Sequence, residues 1–417
     1  MEFLSKFRRP GRYLALFLKW GLLGVLMGCI GGLLGAVFHH TIHFVTGLRQ
    51  EQNWLIFLLP VGGLIIVGLY RLFRLQANRG TDDIIDSVLN GKQVSPLVAP
   101  AIFLAATITH LFGGSAGREG AALQMGGSFA SLLNKLLRMK DEERTVLIMS
   151  GMSAVFAGLF GTPLTACLFT MEFESVGTIF SPALLPCFVS ALVASKLSFA
   201  LGVHAEVFVW NDAVALNFKN TWKFVVLAVL VSLLGIAMCY VFRKVEYLAH
   251  KWFRRPWLRI IIGAMVIVGL TLLVGDQRFS GAGMDMALQA IGGSADWYSF
   301  LLKMLFTSVT LAVGFKGGEI VPTFCIGATF GCLIGGLLGL DPGFAAALGL
   351  VGLFCAITNS PLASIVLSIE MFGGTNLHLF VLVCTIAFVM SGKSCLYSSQ
   401  VIQYSKPFAA ENKKHET

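Results

Sequence analysis

The sequence predicts an all-α protein that crosses a membrane many times and consists of two related halves. Of its 417 residues, 56% are hydrophobic and only 13% are charged, and the mean hydropathy is +0.78. Soluble domains rarely have such a composition. The second observation is a series of long apolar stretches, and the third is a proline-to-glutamate motif that occurs once in each half. Together these observations favour a polytopic membrane protein.

The apolar stretches are of two kinds. Several approach or exceed the roughly 20 residues that a helix needs to span the hydrocarbon core. Others are interrupted by glycine and proline, as at 161–163 and 359–361. Broken helices at membrane depth are tolerated only where they are buried in protein or line a cavity, which favours a transporter or channel over a simple anchor. The stretches lie at residues 14–38, 54–70, 97–112, 145–172, 182–202, 223–242, 258–274, 301–314, 322–340, 344–358 and 377–391.

The charged residues between these stretches predict the topology. The first stretch follows Lys6, Arg8, Arg9 and Arg12, which predicts a cytoplasmic N-terminus by the positive-inside rule. The net charge of +9 is therefore a sign of topology, and we do not expect nucleic-acid binding. The nine cysteines occur singly, without the spacing of a metal or cofactor site. Further cytoplasmic loops are predicted at the basic clusters of residues 71–79, 135–144 and 243–259.

An internal repeat divides the chain. Pro163 and Pro361 each start a run of small and apolar residues that ends nine residues later in a glutamate, Glu172 or Glu370. Repeated halves with paired broken helices indicate a site near the membrane midplane. Duplicated helical hairpins without a site would give the same pattern. We expect an N-terminal cytoplasmic segment at 1–13, transmembrane repeats at 14–210 and 211–400, and a short cytoplasmic tail at 401–417.

A glycine-rich break between two apolar stretches carries the first candidate site. Arg118 and Glu119 stand in the run GGSAGREGAALQMG at 113–126. Facing lipid, these charges would cost several kcal/mol, so we expect them to face the protein interior or water. Gly117 and Gly120 allow a tight turn with exposed N–H groups, and the next residues start a helix. A helix N-terminus suits an anion, and Glu119 could take the anion's place when none is bound.

The run from Gly117 to Gly120 resembles the GREGP signature of the CLC chloride channels and proton-coupled anion antiporters. The resemblance covers about residues 15–400 and implies an inverted two-fold repeat and a homodimer with one anion pathway per subunit. It also implies that Gly117, Arg118 and Gly120 border the anion and that Glu119 is the external gate, which carries the proton. The sequence departs from the signature at Ala121, where chloride-type members usually have proline.

The second half carries a matching element. Residues 318–322 read GEIVP, which is similar to the GxFxP element of the family, so Ile320 and Val321 would offer backbone N–H groups to the anion. Glu319 stands where chloride-type members have an apolar residue, and with residues 314–318 it resembles the fluoride-transporting branch. Glu319 is therefore a candidate second proton relay. The alternative is a structural ion pair of Glu319 with Lys316 or Arg118.

Two further elements of the family have weaker counterparts. Thr81 corresponds to the serine of the GSGIP element, so its hydroxyl could donate to an anion. Asp82 and Asp83 follow it and would repel an anion, unless they cap the helix toward the cytoplasm. Residues 392–398 resemble the GKPLYS stretch, which implies that the hydroxyl of Tyr397 contacts the central anion. An interfacial anchor is the other interpretation of Tyr397.

The internal proton acceptor of the chloride antiporters has no counterpart. Those members carry a pair of glutamates after their NAPLAG stretch. Counting from Pro163, Glu172 matches the first acid, but Phe173 takes the place of the second, which is the proton acceptor. This leaves either a channel or a proton route through Glu119 and Glu319.

We therefore expect a transporter of a halide, fluoride or chloride, with anion/proton antiport gated by Glu119. A channel without proton coupling is the alternative. The predicted partners are the halide, protons, membrane lipid and a second copy of the chain, in a bacterial inner membrane with both termini cytoplasmic. No cofactor and no enzymatic activity are expected. Two other classes stay open: a carrier of cations or organic solutes that uses the acids named above, and a serine hydrolase built on Ser115 and His110.

Overall fold

The computed structural model describes residues 2–76, 78–204, 207–208 and 218–403, and this part of the chain is almost entirely helical. The described residues form sixteen α-helices, and a two-residue strand β1 (Ser175–Val176) runs parallel to β2 (Val401–Ile402). The helices are α1 (Glu2–Glu51), α2 (Leu59–Leu72), α3 (Thr81–Asn90), α4 (Val98–Leu111), α5 (Glu119–Leu137), α6 (Asp141–Phe160), α7 (Pro163–Glu172), α8 (Leu184–Ala200), α9 (Phe218–Trp252), α10 (Pro256–Val274), α11 (Met284–Ile291), α12 (Ser299–Ala312), α13 (Ile320–Leu337), α14 (Pro342–Thr358), α15 (Pro361–Phe372) and α16 (Leu377–Met390).

The prediction of an all-α polytopic membrane protein is confirmed. In the part of the chain that the structure describes, seven helical segments are long and apolar enough to cross a membrane. Large apolar side chains such as Leu22, Phe44 and Leu273 point outward from these segments, with 69–85% of their surface exposed. An outer surface of this kind suits contact with lipid tails and would be unfavourable in water.

The domain boundaries predicted from sequence fall partly outside the described residues. The predicted N-terminal segment 1–13 is continuous with α1, which already begins at Glu2. The boundary between the repeats at 210/211 and most of the tail at 401–417 lie outside the described residues. The helices before and after that boundary, α1–α8 and α9–α16, nevertheless follow one order, with a short α3 or α11 and a proline at the start of α7 or α15.

Close packing of glycines repeats in the two halves. A Cβ atom on Gly126 in α5 would overlap the backbone of Gly151 in α6. The same overlap would occur between Gly327 in α13 and Gly349 in α14. Small residues at such crossings allow helices in a membrane to pack backbone against backbone. The helices that follow the two breaks are therefore fixed tightly to the next helix in each half.

The two proline-to-glutamate motifs cap each other. The carboxylate of Glu172, at the end of α7, accepts hydrogen bonds from the amides of Leu362 and Ala363 at the start of α15, at 3.1 and 2.8 Å. The carboxylate of Glu370 accepts two amide hydrogen bonds at the start of α7, at 2.9 and 2.8 Å, and one from the Thr165 hydroxyl at 2.6 Å. Each half thus supplies the N-terminal cap of a helix in the other half, where free amides favour a negative charge.

Loss of either cap should destabilise the fold. We expect Glu172→Gln and Glu370→Gln each to lower the free energy of unfolding by about 1–3 kcal/mol, because half of each new amide group is a donor facing N–H donors. Thermal unfolding of the purified protein in detergent measures the change. Glu51→Gln at the exposed end of α1 is the matched control. A cap variant as stable as this control would contradict the interpretation.

Candidate functional site

The two glycine-rich breaks meet in the buried interior of the protein. The amide of Gly117 donates to the carbonyl of Gly318 at 2.7 Å, and the amide of Gly318 donates to the carbonyl of Gly117 at 2.8 Å. Helix α5 starts at Glu119 and α13 at Ile320, two residues after the paired glycines. Two helix N-termini, each with free amide groups and a partial positive charge, therefore converge on one place. We call this place the junction.

The pairing shows that the two candidate acids are not equivalent. Because Gly117 aligns with Gly318, Arg118 corresponds to Glu319, and Glu119 corresponds to Ile320. Glu119 is the first residue of its helix, whereas Glu319 is the N-cap residue of the other helix. The two breaks therefore place their carboxylates differently, one inside the junction and one beside it.

The side chain of Glu119 is folded into the junction. It is completely buried, and a Cβ atom on Gly117 or Gly318 would overlap its carboxylate oxygens. The amides of Arg118, Glu119 and Val321 surround the carboxylate. Neither oxygen, however, has a hydrogen-bond partner of normal geometry among the described residues. The carboxylate thus occupies a cradle of backbone amides without being locked in it.

Glu319 does not form the structural ion pair that was one interpretation of the sequence. It is half-buried and has no basic group within 4 Å among the residues described. The ammonium group of Lys316 lies instead over the ring of Tyr70, 4.7 Å from its centroid. Arg118 Nη1 lies 3.1 Å from His39 Nδ1. The carboxylate of Glu319 is therefore left facing a cavity.

That cavity has a volume of about 620 Å³ and reaches the junction from one side. Thr81 and Tyr397 border it beside Glu319 and are 7% and 4% exposed. The hydroxyl of Tyr397 has no hydrogen-bond partner in the described part of the chain, so it is free to donate to a ligand in the cavity. The cavity thus brings together three residues predicted from distant parts of the sequence. Its outer wall is basic, with Arg71, Arg79, Arg243 and Arg259.

Gln124 is a residue of this cavity to which the sequence analysis gave no role. It lies on α5, is 3% exposed, and its Oε1 atom has no partner among the described residues. Its Nε2 atom would lie 3.5 Å from a Cβ atom on Gly80, the residue before Thr81. The only signal in the sequence was an amide side chain among apolar residues, five positions after Glu119.

Asp82 and Asp83 are held by protein donors. Asp82 accepts hydrogen bonds from the hydroxyl of Ser398 at 2.7 Å and the amide of Ser399 at 2.8 Å. Burial alone would raise the pKa of Asp83, but hydrogen bonds from Lys92 and from the Arg79 amide outweigh it and keep this pKa below its usual value. Asp82 therefore ties the start of α3 to the segment of Tyr397, which explains how an acid can follow Thr81.

A second, smaller cavity lies at residues of α1, α6 and α7, among others. The second cavity has a volume of about 40 Å³ and is bordered by Arg118 and His39, among others. It exceeds the roughly 10–15 Å³ that one water molecule requires. Glu319 borders the large cavity and Arg118 the small one, while Glu119 borders neither. The residue before Glu119 and the second candidate acid thus border different cavities.

A comparison with models of known protein families identifies the family of this chain. The model described as voltage gated chloride channel matches residues 62–392, which is most of the chain. The chain belongs to the CLC family. The predicted family is thereby confirmed, and the geometry of the junction belongs to a CLC fold.

Individual CLC relatives span nearly the whole chain. The chain is 34% identical over 412 residues to a chloride/fluoride channel protein of Pseudomonas syringae pv. tomato, which covers 97% of this chain and 91% of the relative. It is 27% identical over 428 residues to the H(+)/Cl(-) exchange transporter ClcA of Vibrio campbellii, covering 93% and 88%. The crystal structure of a CLC-type fluoride/proton antiporter superimposes with a TM-score of 0.89 at 31% identity, covering 92% of this chain and 98% of that one. A slow cyanobacterial Cl-/H+ antiporter, with a TM-score of 0.77 and 20% identity, shares the fold.

The inner acid position of this CLC protein is part of the apolar core. Phe173 is completely buried, and its ring lies 5.6 Å from that of Tyr397 with nearly perpendicular planes. Glu172, the preceding acid, caps α15. Glu174, the next residue, is 3% exposed and has one carboxylate oxygen without a partner among the described residues. Phe173 itself thus offers no proton acceptor, as the sequence predicted.

The residues of the hydrolase alternative do not form a dyad. The hydroxyl of Ser115 hydrogen-bonds with the hydroxyl of Thr307 at 2.9 Å and accepts from the ammonium group of Lys303 at 3.1 Å. His110 Nδ1 contacts the carbonyl of Ala106 at 2.9 Å, and its Nε2 has no partner among the residues described. A nucleophile and its base should be within hydrogen-bond reach of each other, and the structure does not bring these two side chains into such contact.

Proposed function

We propose that this CLC protein exchanges fluoride for protons across a membrane and that Glu119 is its gate. The observation that carries the proposal is the position of the Glu119 carboxylate, which lies among backbone amides at two converging helix N-termini. This is where a small anion would be most stable. An ionised Glu119 takes the anion's place. A protonated Glu119 is neutral, so the two helix N-termini stabilise it less and it can leave the junction.

The donors around the junction suit a small, strongly hydrated anion. Fluoride enters only where protein donors can replace its hydration shell. The backbone amides of Arg118, Gly120, Ile320 and Val321 lie at the two helix starts, and side-chain donors line the adjoining cavity. The amide of Gly117, which the sequence also assigned to the anion, is already used by the carbonyl of Gly318. These side chains are Thr81, Gln124 and Tyr397. The relative in Pseudomonas syringae pv. tomato is named for both chloride and fluoride, which supports this choice of anions.

The proton route of the proposal uses the two acids at the breaks. Phe173 offers no group that can carry a proton, whereas Glu319 is half-buried at the cavity and free of ion pairs among the described residues. A proton would pass between bulk water and the junction through Glu319 and Glu119. The 31% identical structure is that of a fluoride/proton antiporter, which supports coupled exchange.

The proposal includes an orientation and an assembly. The large cavity faces the cytoplasm, because its outer wall carries the arginines that the positive-inside rule assigns to that side. Both termini are cytoplasmic, in the inner membrane of a bacterium. Two copies associate as a homodimer, each with a pathway built from its own repeats at 14–210 and 211–400. Exposed apolar residues on α7 and α15, such as Leu164 and Leu362, are available to such an interface.

Flux measurements test the proposal. We expect liposomes that contain the purified protein to release fluoride at least as fast as chloride, as measured with ion-selective electrodes. An outward fluoride gradient should drive proton uptake, even against a proton gradient. Liposomes without protein are the control for leak. Rapid chloride release with an intact fluoride gradient would contradict the proposed selectivity. Anion release without any proton movement would instead support a channel.

A further inference from the structure

A completely buried lysine lies between the junction and the end of α1. Lys303, on α12, has no exposed surface. Its ammonium group donates hydrogen bonds to the hydroxyl of Ser115 at 3.1 Å and to the carbonyls of Phe279 and Gly281 at 3.1 and 2.7 Å. All three donors are thereby satisfied, but all three acceptors are neutral. The positive charge of Lys303 is solvated by dipoles and by no carboxylate.

A second buried cation adjoins the first. Arg49, near the end of α1, is 4% exposed and donates to the carbonyl of His110 at 3.3 Å, while its Nε atom has no partner among the described residues. Its guanidinium group would lie 3.2 Å from a Cβ atom on Gly281, whose carbonyl accepts from Lys303. Two basic side chains therefore lie next to the same glycine in the interior of the protein.

Within the described part of the chain, no carboxylate forms an ion pair with these charges. The ion pairs of the described residues include neither Lys303 nor Arg49. Asp285 acts on Arg49 through space but is exposed to solvent, where its charge is screened. A buried charge without a counter-charge is strongly destabilising, and proteins retain it where something else supplies the opposite sign. The hydroxyl that accepts from Lys303 belongs to Ser115, on the break that leads to the buried carboxylate of Glu119, which indicates the junction as the source of the opposite charge.

The position of Lys303 is fixed to the break that carries Glu119. Along one face of α12, Lys303, Thr307 and Thr310 follow each other at helical spacing. Thr307 hydrogen-bonds with the hydroxyl of Ser115 at 2.9 Å, and Thr310 accepts from the Ser115 amide at 3.1 Å. Ser115 lies four residues before Glu119. Three successive contacts thus hold the lysine at a set distance from the gate.

We propose that Lys303 is the fixed counter-charge of the anion pathway. It balances the negative charge of the junction, whether Glu119 or the transported anion carries that charge, and so keeps the site attractive to anions after the gate has left. Arg49 adds to the same potential. Lys303 is a positioning residue in this scheme, since it acts on the anion without touching it. The inference rests on the proposed function of the junction.

The experiment compares charge with shape. We expect Lys303→Met to weaken the apparent fluoride affinity, measured as the concentration dependence of flux, by about tenfold or more. A tenfold change needs only a modest loss of electrostatic binding free energy. Lys303→Arg, which keeps the charge, should restore most of the affinity. Thr307→Val is the matched control, because it removes a contact of Ser115 with α12 and leaves the charge unchanged. An equal loss in Thr307→Val and Lys303→Met would overturn the inference.

Combining the change with a neutral gate gives a second readout. Without Lys303, the buried carboxylate of Glu119 would lack its counter-charge, so Glu119→Gln should recover part of the thermal stability that Lys303→Met loses. If Lys303→Met alone does not fold, recovery of the dimer in the double variant supports the inference, and no recovery overturns it. Absence of fluoride flux in the unmodified protein would instead refute the proposed function. Normal fluoride affinity in folded Lys303→Met would refute only the counter-charge.

Discussion

Glu119→Gln is expected to abolish proton coupling while anion movement continues. Glutamine has the size of a protonated glutamate but cannot bind or release a proton, so the gate can no longer carry one across the junction. The carboxylate of Glu119 is completely buried among backbone amides, and an uncharged side chain gains less from that place. We expect fluoride to flow down its gradient, with proton uptake reduced to the level of protein-free liposomes.

The control for this change is another acid on the same pathway. Glu246 is exposed at the rim of the large cavity, and Glu246→Gln removes the same charge outside the buried junction. This variant should couple protons to fluoride as the unmodified protein does. If Glu119→Gln drove proton uptake against a gradient at the unmodified ratio, the gate would have to be another residue.

Glu319→Gln is expected to have the second largest effect. Like-charge repulsion from an entering anion would raise the proton affinity of a carboxylate at this place, so Glu319 could take up a proton as the anion arrives. The amide keeps the volume and much of the hydrogen bonding of Glu319 but cannot titrate. We expect proton-coupled fluoride flux to be lost while the protein remains a folded dimer, as measured by size-exclusion chromatography and parallel flux assays.

The other outcome has an equally definite meaning. Glu319 is the N-cap residue of α13 and could serve only to shape the break. Coupling that survives in Glu319→Gln at its full ratio would assign it that structural role. Lys316→Met tests whether an ion pair with Lys316 gives Glu319 a structural role. In the structure, Lys316 lies over Tyr70 and forms no ion pair with Glu319 among the described residues.

Much of the fold and part of the site could be predicted from the sequence because the signals are local. Apolar length predicts helices in a membrane, and glycines beside Arg118 and Glu119 predict a helix start within the interior. The repeat is visible as two prolines and two glutamates at equal spacing. These features depend on neighbouring residues alone, so they survive without knowledge of the tertiary structure.

The remaining features depend on contacts between distant segments. From the sequence, Lys303 is an ordinary basic residue within an apolar stretch; its role depends on Ser115, 188 residues away, which accepts its hydrogen bond. Gln124 gains its place only when Gly80 and Thr81 fold against α5. The sequence offered Glu319 as a partner of Lys316, three residues away, and gave no sign of the ring of Tyr70, over which Lys316 lies. Sequence spacing cannot decide among such partners, since it does not fix which helix faces which.

The exchanged caps of α7 and α15 constrain the order in which the chain can mature. A ribosome delivers the first half before Glu370 exists, so the start of α7 is then without its carboxylate, and Glu172 is without the amides of α15. Unsatisfied backbone donors are unfavourable in hydrocarbon. The newly made first half therefore keeps unsatisfied amides at α7 until the second half is inserted. Neither half is a complete unit in the bilayer by itself.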